Sequence, residues 1–130
     1  IAPIRQLLEA GVNVAMGTDV AAGHHLSMFR TMQYAIQMSK VIYAQHNREV
    51  SFLSLPEVFY MATKGGGKFF GQVGSFEAGY EFDALVIDDA ALVDTLGTSP
   101  EQLYERLERF IYMGSEHQIE RRFCSGREVV

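Results

Sequence analysis

Val12-Asn13-Val14-Ala15-Met16-Gly17-Thr18-Asp19, followed by Val20-Ala21-Ala22-Gly23-His24-His25, is the stretch on which the reading of this chain turns. An apolar run of strand length stops at Gly17-Thr18-Asp19 and opens into a loop of small residues and two histidines, so one carboxylate falls at the C-terminal end of a strand. In α/β architectures that edge is where active sites sit. Most strand-end aspartates do something plainer and cap a turn or the next helix. The stretch alone supports either role for Asp19, and the flanking sequence has to separate them.

Upstream, Ile4, Leu7 and Leu8 recur at helical spacing over residues 2–10, and Gly11 suits the left-handed conformation that stops a helix. Helix, glycine turn, strand and loop make half of an α/β unit. Downstream, Ser27 can cap a helix on which Met28, Met32, Ala35 and Ile42 form one apolar stripe and Phe29, Ile36 and Tyr43 a second. Two stripes give a face wide enough for two neighbours. Core packing is the expected use of its methionines, with a subunit contact as the alternative.

Polar residues 45–51 end that helix, and Ser54 with Pro56 opens another that holds Val58, Phe59 and Met61. Thr63-Lys64-Gly65-Gly66-Gly67-Lys68 then invites a phosphate-loop reading. The G-x-x-x-x-G-K-[ST] spacing is absent, and Phe69 stands where a magnesium-binding hydroxyl would be needed, so the pattern argues against nucleotide binding there. The glycines instead allow close helix packing and predict a break or kink near residues 65–67, since each costs a helix up to about 1 kcal/mol relative to alanine.

Ala84 to Ile87 is an apolar run bounded by Asp83 and Asp88, as a buried strand with structural carboxylates at its ends should be. After a loop with turn chemistry at Asp94 and Thr98, Ser99, Pro100 and Glu101 predict the start of a helix over 97–113. Leu103, Leu107 and Phe110 lie on one side of it, and a Glu/Arg face on the other is expected to be solvated. Residues 119–124, Ser125-Gly126-Arg127 and 128–130 read as strand, turn, strand.

With 48% hydrophobic and 21% charged residues, the composition is that of an ordinary globular protein. Eleven Lys and Arg against sixteen Asp and Glu leave a net charge of −5 and no basic footprint for nucleic acid. No apolar stretch approaches the ~20 residues that span a bilayer. The lone Cys124 cannot form an internal disulfide, which fits a cytoplasmic location. At 130 residues the chain is long enough for a core but too short for a complete (β/α)8 barrel of about 250 residues, and it opens on Ile1 inside a helical pattern. The expectation is the C-terminal part of a longer protein.

The run GTDVAAGHHLSM, residues 17–28, resembles the final barrel strand and following loop of the amidohydrolase superfamily, and within it the guanine deaminases. Thr63-x-x-Gly66-Gly67-x-x-Phe70-Gly71 is similar to the family's T-x-x-G-A-x-x-L-G, with Gly67 for Ala and Phe70 for Leu. Residues 73–88 are similar to its G-S-[IL]-E-x-G-[KY]-x-A-D-L-V-[VI]-[LID]-D element, with Phe82 in place of Ala, which touches packing rather than chemistry. Residues 119–130 resemble its closing hairpin, V-x-V-x-G-[KR]-x-V. The likeness runs from about Gly11 to Val130, and the order and spacing of the segments carry it more than any one motif.

The resemblance implies an α/β fold: the C-terminal portion of a metal-dependent hydrolase TIM barrel with part of a flanking composite β-sandwich. Residues 1–72 would hold the last barrel strand and the C-terminal helices of the barrel. Residues 73–130 would hold the return from barrel to sandwich, sandwich strands and the helix at 97–113. It implies zinc-dependent hydrolytic deamination of guanine to xanthine and ammonia, with one zinc per subunit in the complete enzyme and none in this piece alone. Asp19 would be both a zinc ligand and the catalytic group that takes the proton of the metal-bound water. The other ligands lie upstream in the family, so the piece alone is expected to be inactive. His24 and His25 sit on the loop as weaker candidates for substrate or metal contact. A homo-oligomer, a dimer, is expected, with a small purine as substrate and neither nucleic acid nor membrane as partner. Two alternatives remain open: another amidohydrolase acting on an aminopurine, aminopyrimidine or chloro-triazine ring, and a non-catalytic interaction module using the helix 28–43.

Overall fold

The computed structural model describes residues 2–23, 25–45, 48–93 and 102–129, which divide into the units Ile1–Gly74 and Ser75–Val130. In the first unit, helix α1 (Ile4–Glu9) stops where the sequence predicts. Gly11 takes φ 75°, its N–H donates to the Leu8 carbonyl at 3.0 Å, and Val12 N–H donates to the Leu7 carbonyl at 2.9 Å. These two bonds close the helix end and turn the chain into the segment that leads to Asp19.

That segment departs from expectation, because residues 12–19 form no strand. Its side chains do alternate: Asn13, Ala15 and Gly17 are exposed while Val14, Met16 and Thr18 are half-buried. A strand also needs a ladder, and among the described residues none runs beside it. Met16 N–H donates to the Met61 carbonyl at 3.1 Å, and Asn13 Nδ2 donates to the Gly65 carbonyl at 2.9 Å. The remaining backbone groups offer an edge on both sides, the state that invites pairing with another strand.

Ser27 caps α2 (Met28–Gln45), with Arg30 N–H donating to its hydroxyl at 3.4 Å and Thr31 N–H to its carbonyl at 3.2 Å. Met32 and Ile36, one from each stripe, are buried with Leu53, Leu55, Val58 and Met61. Burial of each such side chain contributes about 1.5–3 kcal/mol. Ser39 fastens the following loop to α2 by donating to the Ile36 carbonyl at 2.7 Å and accepting from Leu53 N–H at 2.9 Å.

Helix α3 (Leu55–Ala62) begins with Pro56 in its first turn, and Glu57 accepts from Ser54 N–H at 2.8 Å and from the Ser54 hydroxyl at 2.7 Å. The same carboxylate receives Arg5 bidentately at 2.6 and 2.9 Å, while Arg5 also donates to the Ser51 and Phe52 carbonyls. One side chain thus ties α1, the loop 51–54 and α3 together. The Arg5 guanidinium, aided by Ser54, lowers the Glu57 pKa from 4.5 to about 2. A carboxyl depressed in the folded state contributes its stability above the unfolded value, and that contribution fades as pH falls from about 4.5 towards 2. Glu57→Gln is expected to lower stability at pH 7 by about 1–2 kcal/mol, a figure kept small by solvent screening of a partly exposed pair. It should also flatten the acid limb of a pH–stability curve, which urea unfolding at pH 7 and pH 3 would measure; an unchanged acid limb would count against the assignment.

The helical break falls at Thr63, φ −123° and ψ −100°, and not within the three glycines, which form the short turn α4 (Lys64–Gly67). The reason lies in packing rather than propensity. A Cβ on Gly67 would stand 2.8 Å from the Val73 carbonyl carbon, and one on Gly65 would stand 2.9 Å from the Tyr60 carbonyl oxygen. The glycines let the chain fold back on itself at Val73.

In the second unit, β1 (Ala84–Ile87), β2 (Ile119–Cys124) and β3 (Arg127–Val129) form an antiparallel sheet in the order β1-β2-β3, with a bulge between Val86 and Ile87. Ser125 at φ 47° and Gly126 at φ 76° make the two-residue turn between β2 and β3, so the expected hairpin starts its second strand one residue early, at Arg127. Asp83 accepts from Ser125 N–H at 2.8 Å, and Asp88 from Ala90 N–H at 3.0 Å, which makes both carboxylates structural. Phe82 lies between Phe76 and Phe123, with ring centroids 5.8 and 5.6 Å away, so the departure from alanine is absorbed in an aromatic cluster.

Three expectations need correction in this unit. β1 is not buried, since Leu85 and Val86 remain 48% and 38% exposed on a sheet of only three strands. The helix expected over 97–113 is α6 (Leu103–Met113): Gln102, at φ −94° and ψ 79°, is outside the helical range, and residues 94–101 lie outside the described ones. Its Glu/Arg face is not simply solvated. Arg106 grips Asp89, which is 9% exposed, through two bonds of 2.7 Å, and Arg109 is buried at 7% exposure. The Arg106 guanidinium holds the Asp89 carboxyl below the usual carboxylate range. Phe110 and Ile111 are the buried centre of α6, and α5 (Ala90–Val93) packs on that helix. No described helix is long and apolar enough to cross a membrane.

Candidate active site

Asp19 stands where the alternating segment ends, exposed and with φ 49°. A non-glycine residue in the left-handed region is uncommon, although aspartate tolerates it better than most, and such residues concentrate at functional sites. Ala21, two residues on, has φ 86°, where a Cβ is still less at ease. Both conformations are imposed by a tight loop. Ala22 N–H donates to the Asp19 carbonyl at 3.1 Å, Gly23 N–H donates to the same oxygen, and Val20 bridges Gly23.

The plainer role for Asp19 is a side chain that caps its turn or the next helix. Among the described residues its carboxylate accepts no hydrogen bond; the backbone carbonyl, not the side chain, closes the turn, and Ser27 caps α2. The carboxylate therefore sits on a constrained backbone with neither oxygen bonded to a described residue.

Of the two histidine candidates, His24 lies outside the described residues. His25 is half-buried with its ring tilted 33° on Tyr34, centroids 5.5 Å apart. Tyr34 also borders a cleft of about 740 Å³ lined by Val14, Met16, Ala35, Met38 and Ile42. His25 thus has an aromatic neighbour on α2. His117 is exposed in a turn, as expected of a surface residue.

Among the described residues no three His, Cys, Asp or Glu side chains gather closely enough to hold a metal ion. A hard carboxylate oxygen suits Zn²⁺, but a zinc centre takes about four ligands, of which Asp19 would be one. The feature that sequence reading missed is Gly23. Its need for close approach comes from the fold of the loop, and only its place after Ala21-Ala22 in a run of small residues hints at it.

The Amidohydrolase family model matches residues 1–129. Guanine deaminase of Mus musculus is 33% identical over 98% of this chain and 30% of its own length. A 5'-deoxyadenosine deaminase of Methanopyrus kandleri is 30% identical over 100% of this chain and 28% of its own. Among solved structures, guanine deaminase from C. acetobutylicum with guanine bound in the active site superposes with a TM-score of 0.92 at 48% identity, covering 100% of this chain and 30% of that one. An adenosine deaminase from Xanthomonas campestris with bound zinc gives a TM-score of 0.74 at 28% identity, over 98% and 28%. The chain spans about 30% of the length of such relatives.

Proposed function

Because the chain belongs to the amidohydrolase family, we propose that it is the part of a zinc-dependent guanine deaminase that carries the last barrel strand, the helices after it and three strands of a flanking sandwich. The single observation behind the choice of guanine is the TM-score of 0.92 at 48% identity to a guanine deaminase holding guanine, against 0.74 at 28% for an adenosine deaminase. In this reading the unpaired edges of residues 12–18 meet neighbouring barrel strands outside this chain. The boundary between barrel and sandwich portions falls close to residue 73.

A bound zinc would supply a water acidic enough to act as nucleophile at neutral pH. Asp19 fits such a site as one ligand, its carboxylate unshared with any described residue. Its second oxygen can hold a proton during the reaction and return it to the departing amine. The left-handed turn sets the direction of the Asp19 Cα–Cβ bond, a part of what a positioned acid–base group requires. His25, seated against Tyr34, shapes the loop rather than contacting the metal. A dimer and a cytoplasmic setting for the exposed thiol of Cys124 belong to the same reading.

The test uses the full-length protein loaded with zinc. Guanine should yield xanthine and ammonia in equal amounts, with kcat/KM for guanine at least about 10²-fold above that for adenosine or 5'-deoxyadenosine, as a site built around one ring's polar groups discriminates. Faster turnover of an adenine nucleoside would move the assignment to that branch of the family.

A further inference from the structure

The loop that carries Asp19 closes through Gly23, and we infer that Gly23 is a positioning residue whose missing side chain holds the Asp19 carboxylate in place. The inference rests on the reading of Asp19 as a metal-site carboxylate. Asp19 and Ala21 both have positive φ, at 49° and 86°, so the loop is bent more tightly than its residue types favour. Two donors hold the bend by converging on the Asp19 carbonyl, Ala22 N–H at 3.1 Å and Gly23 N–H. Their convergence brings the Gly23 α-carbon against the backbone it is tied to. A Cβ there would lie 2.9 Å from the Asp19 carbonyl oxygen and 3.3 Å from its carbon, and closer still to the Thr18 carbonyl oxygen.

All of these neighbours are backbone atoms, so no flexible side chain can swing away to make room. Any residue other than glycine at 23 must push the Thr18 and Asp19 peptides aside, which breaks the convergent bonds. The Asp19 α-carbon then relaxes out of the left-handed region, and the Cα–Cβ bond that aims the carboxylate turns with it. Displacement of a catalytic group by about 1 Å can cost on the order of 10²-fold in rate.

The experiment compares Gly23→Ala and Asp19→Asn with the native full-length holoenzyme, reading guanine turnover, zinc retained after dialysis against a chelator, and the thermal midpoint. Gly23→Ala is expected to lose about 10²-fold in kcat and to release zinc faster than the native protein, with KM changed far less. A general loss of stability would not by itself loosen zinc in the molecules that remain folded. If Gly23→Ala does not fold, Ala22→Pro removes the other donor to the Asp19 carbonyl without adding a Cβ at 23, and the same losses are expected. Folded Gly23→Ala, or failing that Ala22→Pro, with native kcat and zinc retention would overturn the inference. If Asp19→Asn keeps native turnover, the reading beneath it fails instead.

Discussion

Asp19→Asn in the full-length enzyme is expected to lower guanine turnover by at least 10²–10⁴-fold, the usual cost of losing a positioned acid–base group, while the thermal midpoint stays nearly unchanged. Asparagine keeps the size of the side chain and one oxygen, and it also tolerates the left-handed backbone that Asp19 adopts at φ 49°. It cannot take up a proton as the carboxylate does, and it is a weaker ligand for a dication. The loop should survive, because its closing bonds go to the Asp19 backbone carbonyl and not to the side chain. A capping aspartate would show the reverse pattern, with about 1 kcal/mol of stability lost and turnover per folded molecule intact. Measuring kcat and melting on one preparation separates the two roles.

Phe110→Ala should be the most damaging single substitution for the second unit. Phe110 is 2% exposed at the centre of α6, and Gly114 packs so closely on its ring that a Cβ there would lie 2.8 Å from Cε2. Removing the ring forfeits its burial and leaves a cavity that a three-stranded sheet with a short helix has little material to refill. Such truncations cost about 3–5 kcal/mol, and each kcal/mol moves the midpoint by about 4–8 °C in a unit of this size. Phe110→Leu, which keeps most of the volume, should recover the larger part of the loss. A midpoint within 4 °C of native for the alanine variant would show that α6 does not anchor the unit.

The elements that could be read from sequence are those decided by a few adjacent residues. Gly11 ends α1 because only the next two N–H groups are involved, Ser54 and Pro56 open α3 within one turn, and Ser125-Gly126 needs two positive φ values that this pair tolerates. What could not be read depends on partners distant in the chain. The period-two alternation of residues 13–18 is present, yet a ladder requires a neighbour the local pattern does not specify. Arg5 meets Glu57 across 52 residues and Asp89 meets Arg106 across 17, so a face that looks solvated on a helical wheel turned out partly occupied. At the site, the carboxylate at a strand end was legible as a residue type. Its left-handed backbone and the steric demand on Gly23 were not, since both arise from how the loop closes rather than from any one residue's preference.

Zinc removal and return in the full-length protein, followed by the absorbance change of guanine to xanthine, tests the assignment as a zinc-dependent guanine deaminase most directly. The native protein is expected to hold one zinc per chain, to lose xanthine formation when a chelator strips the metal, and to recover it when zinc alone is restored. Guanine turnover that persists at full rate in the zinc-free protein, or a zinc-loaded protein that forms no xanthine, would contradict it.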